Sequence, residues 1–198
     1  MKLAEQSVEE FSLSVASDSP VPGGGTGAAV SAALGASFIV MVARITAGKP
    51  EFAARKLDLV RIASDADEAR RLFLRLADED AAAYGRFAAV AKTPSAGEAL
   101  RGCLKPPLET LEGVSRALLL ARELSAAYYQ PTASDVGIAA LSLEAAARGA
   151  CLTVHANLKR IKDSVFVTET ARNIRSALAS AEAVAAEIYL AVKRDVEI

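Results

Sequence analysis

Tryptophan is absent from the 198-residue chain, and six phenylalanines and four tyrosines bring aromatics to only 5%. So few large flat side chains, beside 52% hydrophobic residues that are largely alanine, argue against a β-sandwich and for helices packed closely on small side chains. Charge of one sign is lacking too. The 23 basic and 24 acidic residues leave a formal charge of -1, with no basic stripe for nucleic acid or an anionic membrane surface. A small molecule or another protein is the expected partner. There is one histidine, His155, and only two cysteines, Cys103 and Cys151. They form no CxxC pair and show no metal-ligand spacing, so a reduced, cytoplasmic chain is expected. The opening MKLAEQSVEEF is acidic and has no hydrophobic run of the secretory kind. The length is that of one domain, taken as residues 1–198.

Hydrophobic periodicity divides the chain into helices, and no segment of useful length alternates with the period of a strand. Ser7 to Ala16 reads as a short amphipathic helix with Ser7 as N-cap and Val8, Phe11 and Val15 on one face. Two prolines and three glycines in Ser17 to Gly25 then form a loop with unusual backbone freedom. A second helix is expected from about Thr26 to Ala47, ended by Gly48 and Pro50 with Lys49 between them. Gly27, Ser31 and Gly35 recur along it every four residues, which marks it as a candidate dimer contact. Gly23 to Ala43 carries no charge and approaches a bilayer's thickness. Its Gly, Ala and Ser content and missing flanking anchors fit a buried helix better than a membrane span. A third, long helix is expected over about Glu51 to Ala91, then a fourth, kinked or interrupted at Pro106 and Pro107, reaching about Ala126. A fifth follows the Tyr128 to Thr132 loop, and a sixth carries the seam Ala171, Ile174, Leu178, Ala181, Ala185, Ile188 and Val192. The fold class is all-α, a bundle of long helices.

One residue breaks this regularity. The seam of the third helix steps through Leu59, Ile62, Ala66, Ala69, Phe73 and Leu76, meets Asp80, and continues to Ala83 and Phe87. A carboxylate where a core side chain belongs needs a partner, a retained proton or an opening onto a cavity, since an unpaired buried charge costs several kcal/mol. A partly exposed acid at a ragged repeat is the plainer reading of the same pattern. Asp78 and Glu79 fall off the seam.

Other polar candidates carry less chemistry. In PGGGTGA, Gly23, Gly25 and Ala28 satisfy a dinucleotide-type GxGxxA, but the segment follows Ser-Pro-Val-Pro rather than a strand, and it lacks the Lys-Ser/Thr of a P-loop. What remains is a helix N-terminus whose free N–H groups favour an anion, or a glycine loop that merely turns the chain. Lys49 answers a helix dipole or an anionic ligand. Ser134 and Asp135 are the expected cap of the fifth helix. Asn157, the polar exception in the seam Val136, Ala140, Leu143, Ala147, Ala150, Val154, Asn157 and Ile161, either fixes register or contacts a ligand. His155 has no sequence feature tying it to a nucleophile.

Three motifs in order resemble the cyclodeaminase/cyclohydrolase family of folate enzymes, which includes the C-terminal domain of formiminotransferase-cyclodeaminase and bacterial methenyltetrahydrofolate cyclohydrolases. They are SVEEF with SPVPGGGTGAAVSAALGASFIVMVARITAGK, then DEDAAAY, then SDVGIAALSLEAAARGACLTVHANLK. The resemblance runs from about Ser7 to Phe166. It implies an all-α homodimer, a reduced folate as ligand, no metal or redox cofactor, and interconversion at 5,10-methenyltetrahydrofolate. Asp80 falls at the family's catalytic aspartate. The implied substrate-binding residues are Pro22, Gly23, Gly24, Gly25, Lys49, Ser134, Asp135, Thr153 and Asn157. Two departures stand out: Thr153 replaces an asparagine of the last motif, and the connection after the third helix is shortened to Ala91-Lys92-Thr93-Pro94-Ser95. They keep a non-catalytic folate-binding or scaffold protein as the alternative to an enzyme.

Overall fold

The computed structural model describes residues 2–197, and helix is the only regular structure among them. Seven α-helices follow in order: α1 (Val8–Val15), α2 (Gly24–Ala47), α3 (Lys56–Val90), α4 (Ala96–Gly102), α5 (Lys105–Ser125), α6 (Ala133–Leu158) and α7 (Ser164–Val196). Short 3-10 turns lie at Leu3–Glu5, Pro50–Arg55 and Gln130–Thr132. The all-α expectation holds.

The centre of the bundle is α2, packed against α3, α5 and α6. Most of its inward positions are small, among them Ala29, Ala32, Ala33, Gly35, Ala36 and Ala43, which lets the neighbouring backbones approach closely, with Ile39, Val40 and Val42 the larger exceptions. A Cβ on Gly35 would stand 2.8 Å from Leu143 Cγ and 3.0 Å from the Ala139 carbonyl oxygen of α6. Gly35 therefore serves packing inside the protomer, not the subunit contact the four-residue spacing suggested. Larger side chains of the other helices, such as Phe73, Leu76, Leu118, Leu143, Ile174 and Ile188, close the core around it. Both α2 and the stretch Gln130–Leu158 are apolar and long enough to cross a membrane, and each forms part of this core.

Several boundaries differ from the sequence reading for local reasons. Helix α2 begins at Gly24, so two of the three glycines are helical and only Gly23 remains in the loop, as N-cap. Glu51 to Arg55 form a 3-10 turn, which delays α3 to Lys56. Of the two expectations at Pro106 and Pro107, a kink or an interruption, the second holds: α4 and α5 are separate helices, and both prolines stand in the first turn of α5, where the missing N–H costs nothing. Ser7 caps α1 as expected: its Oγ accepts from the Glu10 N–H at 3.2 Å while its own N–H donates to Glu10 Oε2 at 2.7 Å. Of the expected apolar face of α1, Phe11 is part-buried while Val8 and Val15 are exposed. At α6 the N-cap is Thr132, and Ser134 and Asp135 lie inside the first turn without a capping bond. The turn Gln130–Thr132 starts the helix earlier than their spacing implied.

Candidate active site

Asp80 and the N-terminus of α2 meet at one end of the bundle. Asp80 is half-buried, and its Oδ2 accepts a hydrogen bond from the Thr26 hydroxyl at 3.0 Å. Thr26 is fully buried, and its hydroxyl also lies 3.5 Å from the Ala77 carbonyl. Burial pushes the Asp80 carboxyl above its ordinary value, while the Thr26 hydroxyl and backbone N–H pull the other way by favouring the charged form. The Thr26 N–H belongs to the first turn of α2, whose N-cap, Gly23, has no side chain to offer. The anion that this helix terminus attracts is thus the chain's own carboxylate.

Gly25 makes the approach possible. A Cβ built there would fall 2.7 Å from Asp80 Cγ and Oδ2 and closer still to Oδ1, so no side chain fits beside the acid. Here the glycine is demanded by proximity rather than by backbone angle.

The acid opens onto a cavity of about 280 Å³. Gly23, Gly24 and Gly25 line one side, Tyr84 and Cys103 another, and Thr153, Ala156 and Asn157 of α6 complete it. The Thr153 hydroxyl donates to the Gly149 carbonyl of its own helix at 3.0 Å, and Asn157 Nδ2 donates to the Cys103 carbonyl at 3.4 Å. Burial and the Asp80 charge push the Cys103 thiol up, which keeps it protonated and poorly nucleophilic. Cys103 and Thr26 are site residues the sequence reading missed. Thr26 was visible as the residue next to the triple glycine, whereas nothing local singles out Cys103.

The remaining expected site residues separate. Pro22 is buried and does not line the cavity, although its neighbours Val21 and Gly23 do. Lys49 stands at the opposite end of α2, with Nζ 4.0 Å from the centroid of the Tyr129 ring. That end also holds Ser134 and Asp135, because α6 starts where the Tyr129 N–H bonds Thr46 Oγ1 at 3.0 Å. His155 is exposed, its Nδ1 2.9 Å from the Cys151 carbonyl, and takes no part in the cavity. The shortened connection after α3 borders a different, more open space of about 620 Å³, lined by Phe87, Ala91, Gly97, Arg101, Arg160 and Lys162. No group of three His, Cys, Asp or Glu side chains suited to a metal ion occurs among the described residues.

A lone desolvated carboxyl, held by a hydroxyl and an amide beside a cavity with no second carboxyl, suits reversible proton transfer. Residues 7–176 match the family described as Formiminotransferase-cyclodeaminase. The chain belongs to this family. Among its relatives is the methenyltetrahydrofolate cyclohydrolase of Methylorubrum extorquens, 29% identical over 96% of this chain and 98% of that protein. The formimidoyltransferase-cyclodeaminase of Rattus norvegicus is 32% identical over 93% of this chain, which spans only 36% of the rat protein. In three dimensions the fold is similar to the crystal structure of a formiminotetrahydrofolate cyclodeaminase from Thermotoga maritima, with a TM-score of 0.85, 26% identity and coverage of 97% of this chain and 96% of the other. Family membership, the all-helical fold and the cavity around Asp80 point to one kind of chemistry.

Proposed function

We propose that this chain is a folate one-carbon enzyme acting at 5,10-methenyltetrahydrofolate, either as a cyclohydrolase or as a 5-formiminotetrahydrofolate cyclodeaminase, and that it works as a homodimer. The observation that carries the reading is the half-buried Asp80 carboxyl facing the cavity with its pKa raised. In the hydrolytic direction, the carboxylate takes a proton from water as its oxygen bonds to the amidinium carbon. Asp80 then returns that proton to N5 as the N5–C bond breaks, the hydroxyl left on the carbon gives its remaining proton to solvent, and 10-formyltetrahydrofolate is released. In the deaminating direction, N10 attacks the carbon of the protonated 5-formimino group and gives its proton to Asp80, which passes it to the departing NH2 so that ammonia leaves and the methenyl cation remains. A raised pKa suits a group that must accept and donate within one turnover.

Thr26 holds the carboxyl in place, and the Thr153 and Asn157 side chains border the space beside it. The alternative is a folate binder without turnover on the same scaffold. It is favoured by Thr153, whose hydroxyl is engaged with its own helix where an asparagine amide would offer both a donor and an acceptor. The deciding measurement is the loss of methenyltetrahydrofolate absorbance with purified protein, run beside 5-formiminotetrahydrofolate cyclisation. Turnover of one substrate that disappears in folded Asp80→Asn supports the enzyme reading. Tight folate binding with no turnover of either substrate supports the alternative.

A further inference from the structure

The Asp80 cavity is small, and without a cation, for an anionic ligand as large as a reduced folate. Its volume of about 280 Å³ lies at the lower edge of small-molecule sites, and no Lys, Arg or His lines it. The reacting carbon has to stand beside Asp80, so the aryl-glutamate end of the molecule, carried on N10, has to lie elsewhere.

The wider groove of about 620 Å³ shares its walls with that cavity. On α3, Tyr84 lines the cavity and Phe87 the groove, with ring centroids 6.0 Å apart. At the end of α4, Cys103 lines the cavity and Leu100 the groove, and the Cys103 N–H donates to the Leu100 carbonyl at 3.1 Å. After α6, the N–H of Arg160, in the groove, donates to the carbonyl of Asn157, in the cavity, at 3.1 Å. Each wall passes from one space to the other within a single helical turn, ~5 Å. Charge crosses the same short distance: burial and the Asp80 charge push the Cys103 thiol up, and Arg86 and Arg160 are near enough to oppose them.

The groove suits a flat ring that ends in carboxylates. Phe87, Ala96, Leu100 and Ile161 make its floor apolar, while three cations, Arg101, Arg160 and Lys162, and one acid, Asp163, surround it. Arg101 is already engaged, paired with Asp163 at 3.0 Å and standing 4.6 Å from the centroid of the Phe166 ring. Among the described residues no carboxylate pairs with Arg160 or Lys162. The Arg160 guanidinium lies over the Phe87 ring, 4.5 Å from its centroid. A guanidinium that rests its face on a ring keeps its edge N–H donors for a carboxylate. Ala91, where the shortened connection begins, also lines the groove. We propose that this groove binds the p-aminobenzoylglutamate end of the folate, with the aryl ring on the apolar floor and the glutamate carboxylates on Arg160 and Lys162. Such a tail site rests on the folate reading above and adds to it the residues that recognise the end of the substrate remote from the chemistry.

Kinetics with paired substrates test this. The pteroate counterpart of the folate substrate keeps the reacting ring and lacks only the glutamate. The parent should show a KM for it ~10-fold or more above that for the folate, the size expected for charge-assisted bonds to a carboxylate. In Arg160→Gln/Lys162→Gln, with the fold checked by helical circular dichroism, the two KM values should converge through a rise in that of the folate. Arg160→Lys should keep more of the discrimination than Arg160→Gln but less than the parent, because an ammonium retains the charge and loses the paired donors. Equal KM values in the parent, or a double variant that weakens both substrates by the same factor, overturns the tail site. A second readout needs no turnover. By ligand-observed NMR, p-aminobenzoylglutamate should bind the parent and p-aminobenzoate should not, and the double variant should bind neither. Fragment binding of this kind in a protein that turns over neither folate overturns the functional reading and leaves the groove as a site for an aryl-linked dicarboxylate. Folate turnover without discrimination does the reverse, and the absence of both turnover and fragment binding overturns both.

Discussion

Asp80 occupies the space that a side chain on Gly25 would fill, so the two residues depend on each other. Gly25→Ala places a methyl group where the carboxyl now sits, so the acid must leave its hydrogen bond with Thr26. We expect kcat to fall by ~10²-fold or more, as for a displaced acid/base, with a stability loss of ~1–3 kcal/mol from overpacking, checked by steady-state kinetics and urea unfolding. Asp80→Asn separates charge from shape. Burial raises the Asp80 pKa, so the native state keeps this proton to higher pH than the unfolded chain does. Its contribution to stability is full below the unfolded-state pKa and is lost as pH rises through the folded-state pKa. At neutral pH, Asp80→Asn should therefore melt above the parent, and thermal melts across the acidic range should show the loss of that part of the pH dependence. The same substitution should lower kcat by ~10²–10⁴-fold. A more stable yet inactive variant is the expected mark of a strained acid kept for chemistry.

At the scale of elements, the bundle depends on how closely α2 approaches α6. Gly35→Leu drives a side chain into Leu143 and the Ala139 carbonyl, and should cost ~1–3 kcal/mol or more, seen as a lower urea midpoint. Gly85 in α3 offers the contrast, because a Cβ there meets nothing within 4 Å. Gly85→Ala should raise stability by up to ~1 kcal/mol through helix propensity alone. Two glycines in helices thus have opposite meanings, and only their neighbours distinguish them. The same holds for the prolines of α5, which in sequence read equally as a kink or a break and in the structure occupy the one helical turn that tolerates them. Ser134 and Asp135 have the composition of a cap, yet a 3-10 turn at Gln130–Thr132 starts α6 before they are reached.

For the molecule as a whole, the apolar face of α2 is the surface that the proposed homodimer would cover. A stripe with exposed Leu34, Met41 and Ile45 and no charge is costly to leave in water. Leu34→Glu puts a charge near the centre of the proposed pairing. It should yield a folded monomer, with halved mass by light scattering and an unchanged helical circular dichroism spectrum. Loss of folate turnover in that monomer would follow if each site needs both chains. Helix α1 is a second surface with exposed apolar residues, Val8, Leu13 and Val15.

Periodicity and composition by themselves determined the helical class, the approximate course of the long helices, and the anomaly of Asp80. These are local properties: a helix face repeats every few residues, and a polar residue out of place on it is visible without knowing the neighbour. Only the tertiary structure decided that Thr26 holds the acid, that Gly25 must lack a side chain because Asp80 occupies its space, that Cys103 enters the cavity, and that Lys49, Ser134 and Asp135 lie at the far end of the bundle. Those facts depend on which helices run antiparallel and which ends coincide. Packing between distant segments sets them, and no local pattern in the chain records it.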